Sequence, residues 1–136
     1  MRRSNSKGTP MGSSTAKGTR FESAVVDYLR AGLGGDIERR VKHGTRDMGD
    51  IRGVYLNGKQ VVIECKDRRA MRLPEWLEEA EVERGNADAE YGVVVHHRSG
   101  KGRASMGDQY VTMTLETFRA MVAGGRGNIE EDDEIG

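Results

Sequence analysis

The apolar positions of this chain change period several times, and each change marks an element. Phe21, Val25, Val26, Tyr28 and Leu29 recur at helical spacing. Thr19 and Glu22 form a T-x-x-E capping pair ahead of them, and Gly32, Gly34 and Gly35 offer a stop, so a first helix is predicted between those signals. Ile37 to Lys42 reads as a weakly alternating strand. Gly49–Leu56 and Lys59–Lys66 then flank Asn57-Gly58, the dipeptide most indicative of a tight hairpin. Pro74 suits the first position of a second helix, with Leu73, Trp76, Leu77 and Ala80 on one side, ending near Arg84 before Gly85 and Asn86. Tyr91–His96 is a short apolar run of the kind a buried strand shows. A loop rich in glycine and base spans Ser99 to Gly107, followed by a strand over Tyr110–Leu115 and a short helix over Glu116–Val122. Residues 1–16 lack periodicity and read as a disordered basic arm; 124–136 read as a disordered acidic tail. The folded unit is then 17–123, of α/β class, in the order helix, three strands, helix, strand, strand, helix.

Composition narrows this picture. The 136 residues suffice for one domain, and with 35% hydrophobic and 32% charged residues the core is modest and the surface ionic. The single cysteine, Cys65, excludes an internal disulfide and fits a reducing compartment. No apolar run nears the ~18 residues of a membrane span, and Ser, Gly and Thr follow Arg2 and Arg3 where a signal peptide is apolar. The expectation is a soluble, cytoplasmic protein with no membrane partner. A net charge of zero does not exclude nucleic acid, because Met1–Arg20 holds five bases and no acid while the end of the chain is acidic. Phosphate responds to such local patches rather than to the sum.

The chemistry concentrates in GDIRGVYLNGKQVVIECKD. Alternation along a strand puts Glu64 and Lys66 on one face, straight after the apolar run Val61-Val62-Ile63. Ionised side chains are rarely placed so deep in a sheet unless paired or bound to metal. Whether Asp50 joins them depends on register. A two-residue loop at Asn57-Gly58 sets Asp50 opposite Cys65. A three-residue loop sets Asp50 opposite Lys66 and Arg52 opposite Glu64, and gathers Ile51, Tyr55, Val61, Ile63 and Cys65 on one apolar face. A buried face pins register, so the bulged hairpin is expected; a bulge elsewhere, for example at Gly53, is the other route. Carboxylate oxygens suit Mg²⁺, with Mn²⁺ able to substitute. Such an ion activates water and offsets charge on a phosphodiester, while Lys66 orients the water or neutralises the transition state.

The D-I followed by I-E-C-K resembles the D…(D/E)-x-K signature of the PD-(D/E)XK nucleases. Lys17-Gly18 with Glu22, then Gly49-Asp50-Ile51 and Glu64-Cys65-Lys66, look like the archaeal-type Holliday-junction resolvases and their phage relatives, over Lys17 to His97. The resemblance implies a restriction-endonuclease-like αβββαβ core with a mixed sheet flanked by helices. It implies a metal site of Glu22, Asp50, Glu64 and Lys66, with the Cys65 carbonyl as a further ligand and Thr45 as the hydroxyl residue of the preceding loop. It also implies a homodimer, whose two sites cut a four-way DNA junction symmetrically, in a bacterial, archaeal or phage setting. Lys17, Arg20, Arg40, Lys42, Arg46, Arg68 and Arg69, with Arg39 and Arg72, supply a DNA-binding rim. Gly49 departs from the family's proline, and nothing after Arg98 matches.

Plainer readings stand beside these. Glu22 can serve only the capping box, Asp50 a turn, and Glu64 with Lys66 an exposed ion pair. His96 and His97 point opposite ways and read as a strand end reaching solvent. Trp76 reads as a core or dimer contact, Cys65 as a small buried side chain, and Lys101–Arg103 as a solvated loop or a phosphate contact. The rival functions are a nuclease on ordinary duplex or single-stranded DNA, in phage DNA processing, repair or restriction, a non-catalytic DNA-binding module, and an interaction protein.

Overall fold

A computed structural model describes residues 10–41 and 46–130, with side chains from Ala16 onward. Helix α1 (Pro10–Leu33) leads into β1 (Glu38–Arg39), β2 (Ile51–Arg52), β3 (Tyr55–Leu56) and β4 (Lys59–Lys66). Helix α2 (Leu73–Ala87) crosses to β5 (Tyr91–His96), which pairs parallel with β4. A 3₁₀ turn (Arg103–Asp108), β6 (Tyr110–Thr112) and α3 (Leu115–Ala123) follow. The sheet runs β1-β2-β4-β5-β6, with β3 paired to β4, and is mixed because only the β4–β5 pair is parallel. The α/β class with helices on both faces of a mixed sheet is therefore observed.

Alternation along β4 and β5 divides the interior. Val61, Ile63, Cys65, Tyr91, Val93 and Val95 meet Phe21, Val25 and Val26 of α1 and Ala120 of α3. The opposite faces meet α2, where Val94 packs with Trp76 and Ala80. Burying such side chains contributes roughly 2 kcal/mol each. Among the described residues, no helix is long and apolar enough to cross a membrane.

Several expectations change in the structure. The first helix starts at Pro10, not Thr19, so Thr19 lies inside it and the capping-box reading fails. Tertiary contact supports the earlier start: Lys17 Nζ reaches Asp67 at 3.7 Å. Residues 10–16 of the supposed arm are thus helical, whereas 1–9 lie outside the described residues. The strand expected over Ile37–Lys42 shrinks to two residues. Gly85 and Asn86 sit within α2, which closes instead at Asp88 in the left-handed region. His96 is buried at 4% exposure rather than solvated, held by Nε2···Thr112 Oγ1 at 2.7 Å and packed against the rings of Trp76 and Tyr110. The supposed tail is ordered at its start: Arg126 N–H donates to Glu90 Oε1 at 2.7 Å, and Ile129 packs on the core. Its residues 131–136 lie outside the described set.

The hairpin register differs as well. Tyr55 pairs with Gln60 and Leu56 with Lys59, which leaves only Asn57 and Gly58 in the loop. Ile51 nevertheless pairs with Ile63, one residue out of step with that turn. The extra residue is absorbed at Gly53-Val54, where Val61 N–H donates to Val54 O. Gly53 has φ +94°, and a Cβ there would lie 2.5 Å from the Asp36 carbonyl oxygen, so the bulge needs glycine. Asp50 consequently arrives next to Glu64, not opposite Lys66. Tyr55 leaves the apolar face and is 60% exposed.

Candidate metal centre

Asp50 is set by backbone on three sides. Its N–H donates to Ile63 O at 2.8 Å, its carbonyl accepts from Arg40 N–H at 2.7 Å, and its Oδ2 accepts from Cys65 N–H at 2.8 Å. Gly49 makes this approach possible: its φ is +99°, and a Cβ would lie 2.8 Å from Val62 Cγ1 and 3.2 Å from Ile63 O. Glu64 and Lys66 share the α2 face of β4, and the Asp50 carboxyl is near enough for its charge to act on Glu64. Lys66 Nζ lies 3.2 Å from Glu64 Oε2 and 2.7 Å from Glu79 Oε1.

Helix α2 adds two acids that sequence reasoning missed. Trp76, Glu79, Ala80 and Glu83 follow i, i+3, i+4, i+7 spacing and so share the face laid on the sheet. Glu83 is only 2% exposed and meets Glu64. Asp47, also missed, is drawn in because Asn86 Nδ2 of α2 donates to its carbonyl at 2.8 Å. One oxygen each from Asp47, Glu64 and Glu83 lies within 4.8 Å of the other two.

Crowding of these carboxyls in a dry setting shifts their protons. Burial, then the Asp50 charge, pushes Glu64 up to about 7. Burial, then contact with Glu64, raises Glu83 far above the ordinary carboxylate range. Asp50 is raised by burial, against the opposing Cys65 amide. Burial works to lower Lys66, but its hydrogen bond to Glu79 and the Glu64 charge outweigh that and leave it raised and charged. Burial also lifts the Cys65 thiol well above its usual value, which removes it as a nucleophile.

The other expected residues are placed unevenly. Glu22 reaches the neighbourhood of Asp50, whose charge, after burial, helps raise it, but its Oε1 accepts from Arg39 Nε at 3.1 Å and it stays outside the Asp47–Glu64–Glu83 trio. The Cys65 side chain faces the α1 core, not the carboxyls. Arg40 is half-buried with Nε lacking a partner, and Arg46 is exposed, donating to Asn86 O at 3.3 Å. Lys42 and Thr45 lie outside the described residues. Lys17, Arg68 and Arg69 line a groove of about 590 Å³ past the ends of β4 and β5, with His97, Arg98 and Tyr110. Arg20 lines the adjoining hollow with Lys101 and Arg103. Arg98 lies over the Tyr110 ring, 5.5 Å from its centre.

The carboxyls suit a hard divalent cation. All the donors are oxygens, and Glu64 Oε1 and Glu83 Oε1 are buried without a hydrogen-bond donor, a costly state that a cation relieves. No family model, curated protein or solved structure matches this chain.

Proposed function

We propose that this chain is a Mg²⁺-dependent endodeoxyribonuclease of the PD-(D/E)XK type that hydrolyses phosphodiester bonds in branched DNA. The observation that carries the reading is the meeting of Asp50, Glu64 and Lys66: two neighbouring carboxyls, with Asp50 Oδ2 on the Cys65 amide and the Lys66 ammonium 3.2 Å from Glu64 Oε2. Their arrangement on a hairpin and the strand it feeds, between α1 and α2, agrees with the αβββαβ order of that superfamily.

Asp50 and Glu64 are the residues that would hold Mg²⁺ or Mn²⁺. Bound there, such an ion supplies Lewis acidity, lowering the pKa of a water and offsetting charge on the phosphate. Glu64 also orients Lys66. The Lys66 ammonium, kept charged by its two glutamates, donates to the oxygen that gains charge as the P–O bond breaks or holds the attacking water in line. Glu79 shares Lys66 and limits its rotation. Arg68, Arg69, Arg98 and Lys17 hold flanking phosphates in the groove past β4 and β5.

The resemblance to junction resolvases directs the substrate proposal to four-way junctions cut by a two-fold dimer. A labelled junction and its linear arms, incubated with Mg²⁺, Mn²⁺ or EDTA, separate the alternatives. The expected result is paired, metal-dependent nicking of the junction. Equal cleavage of the linear arms keeps the metal chemistry and discards junction selectivity. Tight binding without cleavage in any metal leaves a DNA-binding module.

A further inference from the structure

The groove past the ends of β4 and β5 holds more than charge. Tyr110 and Met71 line it among Lys17, Arg68, Arg69 and Arg98, and they are 45% and 59% exposed. Phosphate contacts alone leave that apolar surface wet. The Tyr110 ring is also held in place by a run of ring contacts that starts in the core. Trp76 packs on His96 with ring centres 5.6 Å apart, and His96 packs on Tyr110 at 5.6 Å. His96 is itself buried, tied to Thr112, and paired with Tyr110 across β5 and β6. Beyond Tyr110 lies the Arg98 guanidinium, 5.5 Å from the ring centre, with the Arg98 N–H donating to Gln109 Oε1 at 2.6 Å. The last layer of the run is thus a flat cation on an exposed residue. His97 N–H donates to Lys66 O at 3.0 Å, which joins the wall of the groove to the strand carrying Glu64 and Lys66.

We propose that this groove is a subsite for an unpaired nucleobase of the bound DNA, stacked on the Arg98–Tyr110 pair while Lys17, Arg68 and Arg69 hold the phosphates beside it. The proposal rests on the reading of a protein that acts on branched DNA, and deepens it by naming what is recognised at the branch. Every base has a flat π face, and aromatic rings and guanidinium planes in a cationic groove are surfaces on which it stacks. An arginine over a ring keeps its N–H donors at the edge of its plane, so stacking and phosphate contact do not compete. In an intact duplex both faces of each base are covered by its neighbours. Only a base displaced at a branch, a bulge or an end can therefore enter. A groove of about 590 Å³ is of the size that holds one small ligand such as a nucleotide. Met71, on the loop between β4 and α2, adds apolar contact from that side. Asp67 and Arg68 follow Lys66 directly in the chain, so a base seated here sets the adjoining backbone near the Lys66 ammonium.

Equilibrium binding of the full chain to DNA in Ca²⁺ tests this apart from any cleavage. The probes are a paired duplex, the same duplex with one bulged adenine, and a third whose bulge is an abasic nucleotide, which keeps the bend and removes the base. The adenine bulge is expected to bind roughly 10-fold more tightly than either of the others. Tyr110→Leu is expected to remove that preference and to leave affinity for the paired duplex, set by phosphate contacts, within about twofold. Arg98→Lys keeps the charge and removes the plane at an exposed position. It is expected to act in the same way, and carries the test if the Tyr110 variant fails to fold. Equal binding of the adenine and abasic bulges shows recognition of DNA shape alone and overturns the subsite. A preference that survives Arg98→Lys and folded Tyr110→Leu seats the base elsewhere and overturns it as well. Base-selective binding that depends on Arg98, with no cleavage in Mg²⁺ or Mn²⁺, upholds the subsite and removes the nuclease reading. Cleavage without any base preference does the reverse.

Discussion

The two flanks of Lys66 carry opposite charge and handle it differently. Toward α2, Asp47, Glu75, Glu78, Glu79 and Glu83 line one cavity, and its deepest carboxyl is almost wholly buried. Past the ends of β4 and β5, Lys17, Arg68, Arg69 and Arg98 line another, and their guanidinium and ammonium groups are largely in water. Buried acids without donors demand a cation at close range, because desolvation makes their charge expensive. Exposed arginines cost little when alone and act on a polyanion through many weak, salt-screened contacts. One flank suits coordination and the other attraction. The net charge of zero over 136 residues conceals this division.

Damage on each flank therefore has a distinct expected signature. The largest effect belongs to Lys66, which joins the two. Lys66→Ala is expected to slow single-turnover cleavage by about 10³-fold while DNA affinity changes little; a matching loss of binding would make Lys66 part of the attracting surface instead.

The acid flank has a pH signature next in size. In metal-free protein Glu64 is raised from 4.5 to about 7, and Glu83 and Asp50 are raised too. The folded chain thus holds more protons on these groups than the unfolded one, so their contribution to stability is full below the ordinary carboxylate pKa and is lost as pH rises through 7 and beyond. The loss from Glu64 is on the order of 3 kcal/mol. Melting in EDTA between pH 5 and 8 should show the decline, and Mn²⁺ should restore more stability at pH 8 than at pH 5. A melting temperature that is flat with pH would contradict the buried acidic cluster.

The basic flank gives the smallest change per residue. Arg68→Ala with Arg69→Ala should weaken DNA binding roughly 10-fold and reduce the slope of log affinity against log salt by about 2, as each removes ~1 phosphate contact. Cleavage at saturating DNA should stay within about twofold. A large fall in the saturated rate would move these arginines into the chemistry.

Much of this was legible in the chain, for identifiable reasons. The two-residue period of β4 put Glu64 and Lys66 together, and the Asn57-Gly58 turn located the hairpin. The position of the bulge was not legible. Gly53 and Gly58 both permit one, and the choice goes with the close approach of the Asp36 carbonyl, 17 residues earlier in the chain, where only a residue without a Cβ fits. Glu79 and Glu83 were missed because EWLEEAEVER looks like a solvated helix with charges at every turn. The signal was their spacing from Trp76 and Ala80, which put acids on the face that packs on the sheet. The burial of His96 depends on a partner remote in sequence, Thr112, and on the rings of Trp76 and Tyr110.

The most direct measurement is Mg²⁺-dependent cleavage of a four-way junction by wild type and Glu64→Gln, with junction affinity measured for both in Ca²⁺. Cleavage by wild type, abolished in the variant and by EDTA while affinity remains within a fewfold, is the predicted result. Cleavage that survives Glu64→Gln, or wild type that binds the junction and cuts no DNA in Mg²⁺ or Mn²⁺, would contradict a nuclease centre at Asp50, Glu64 and Lys66.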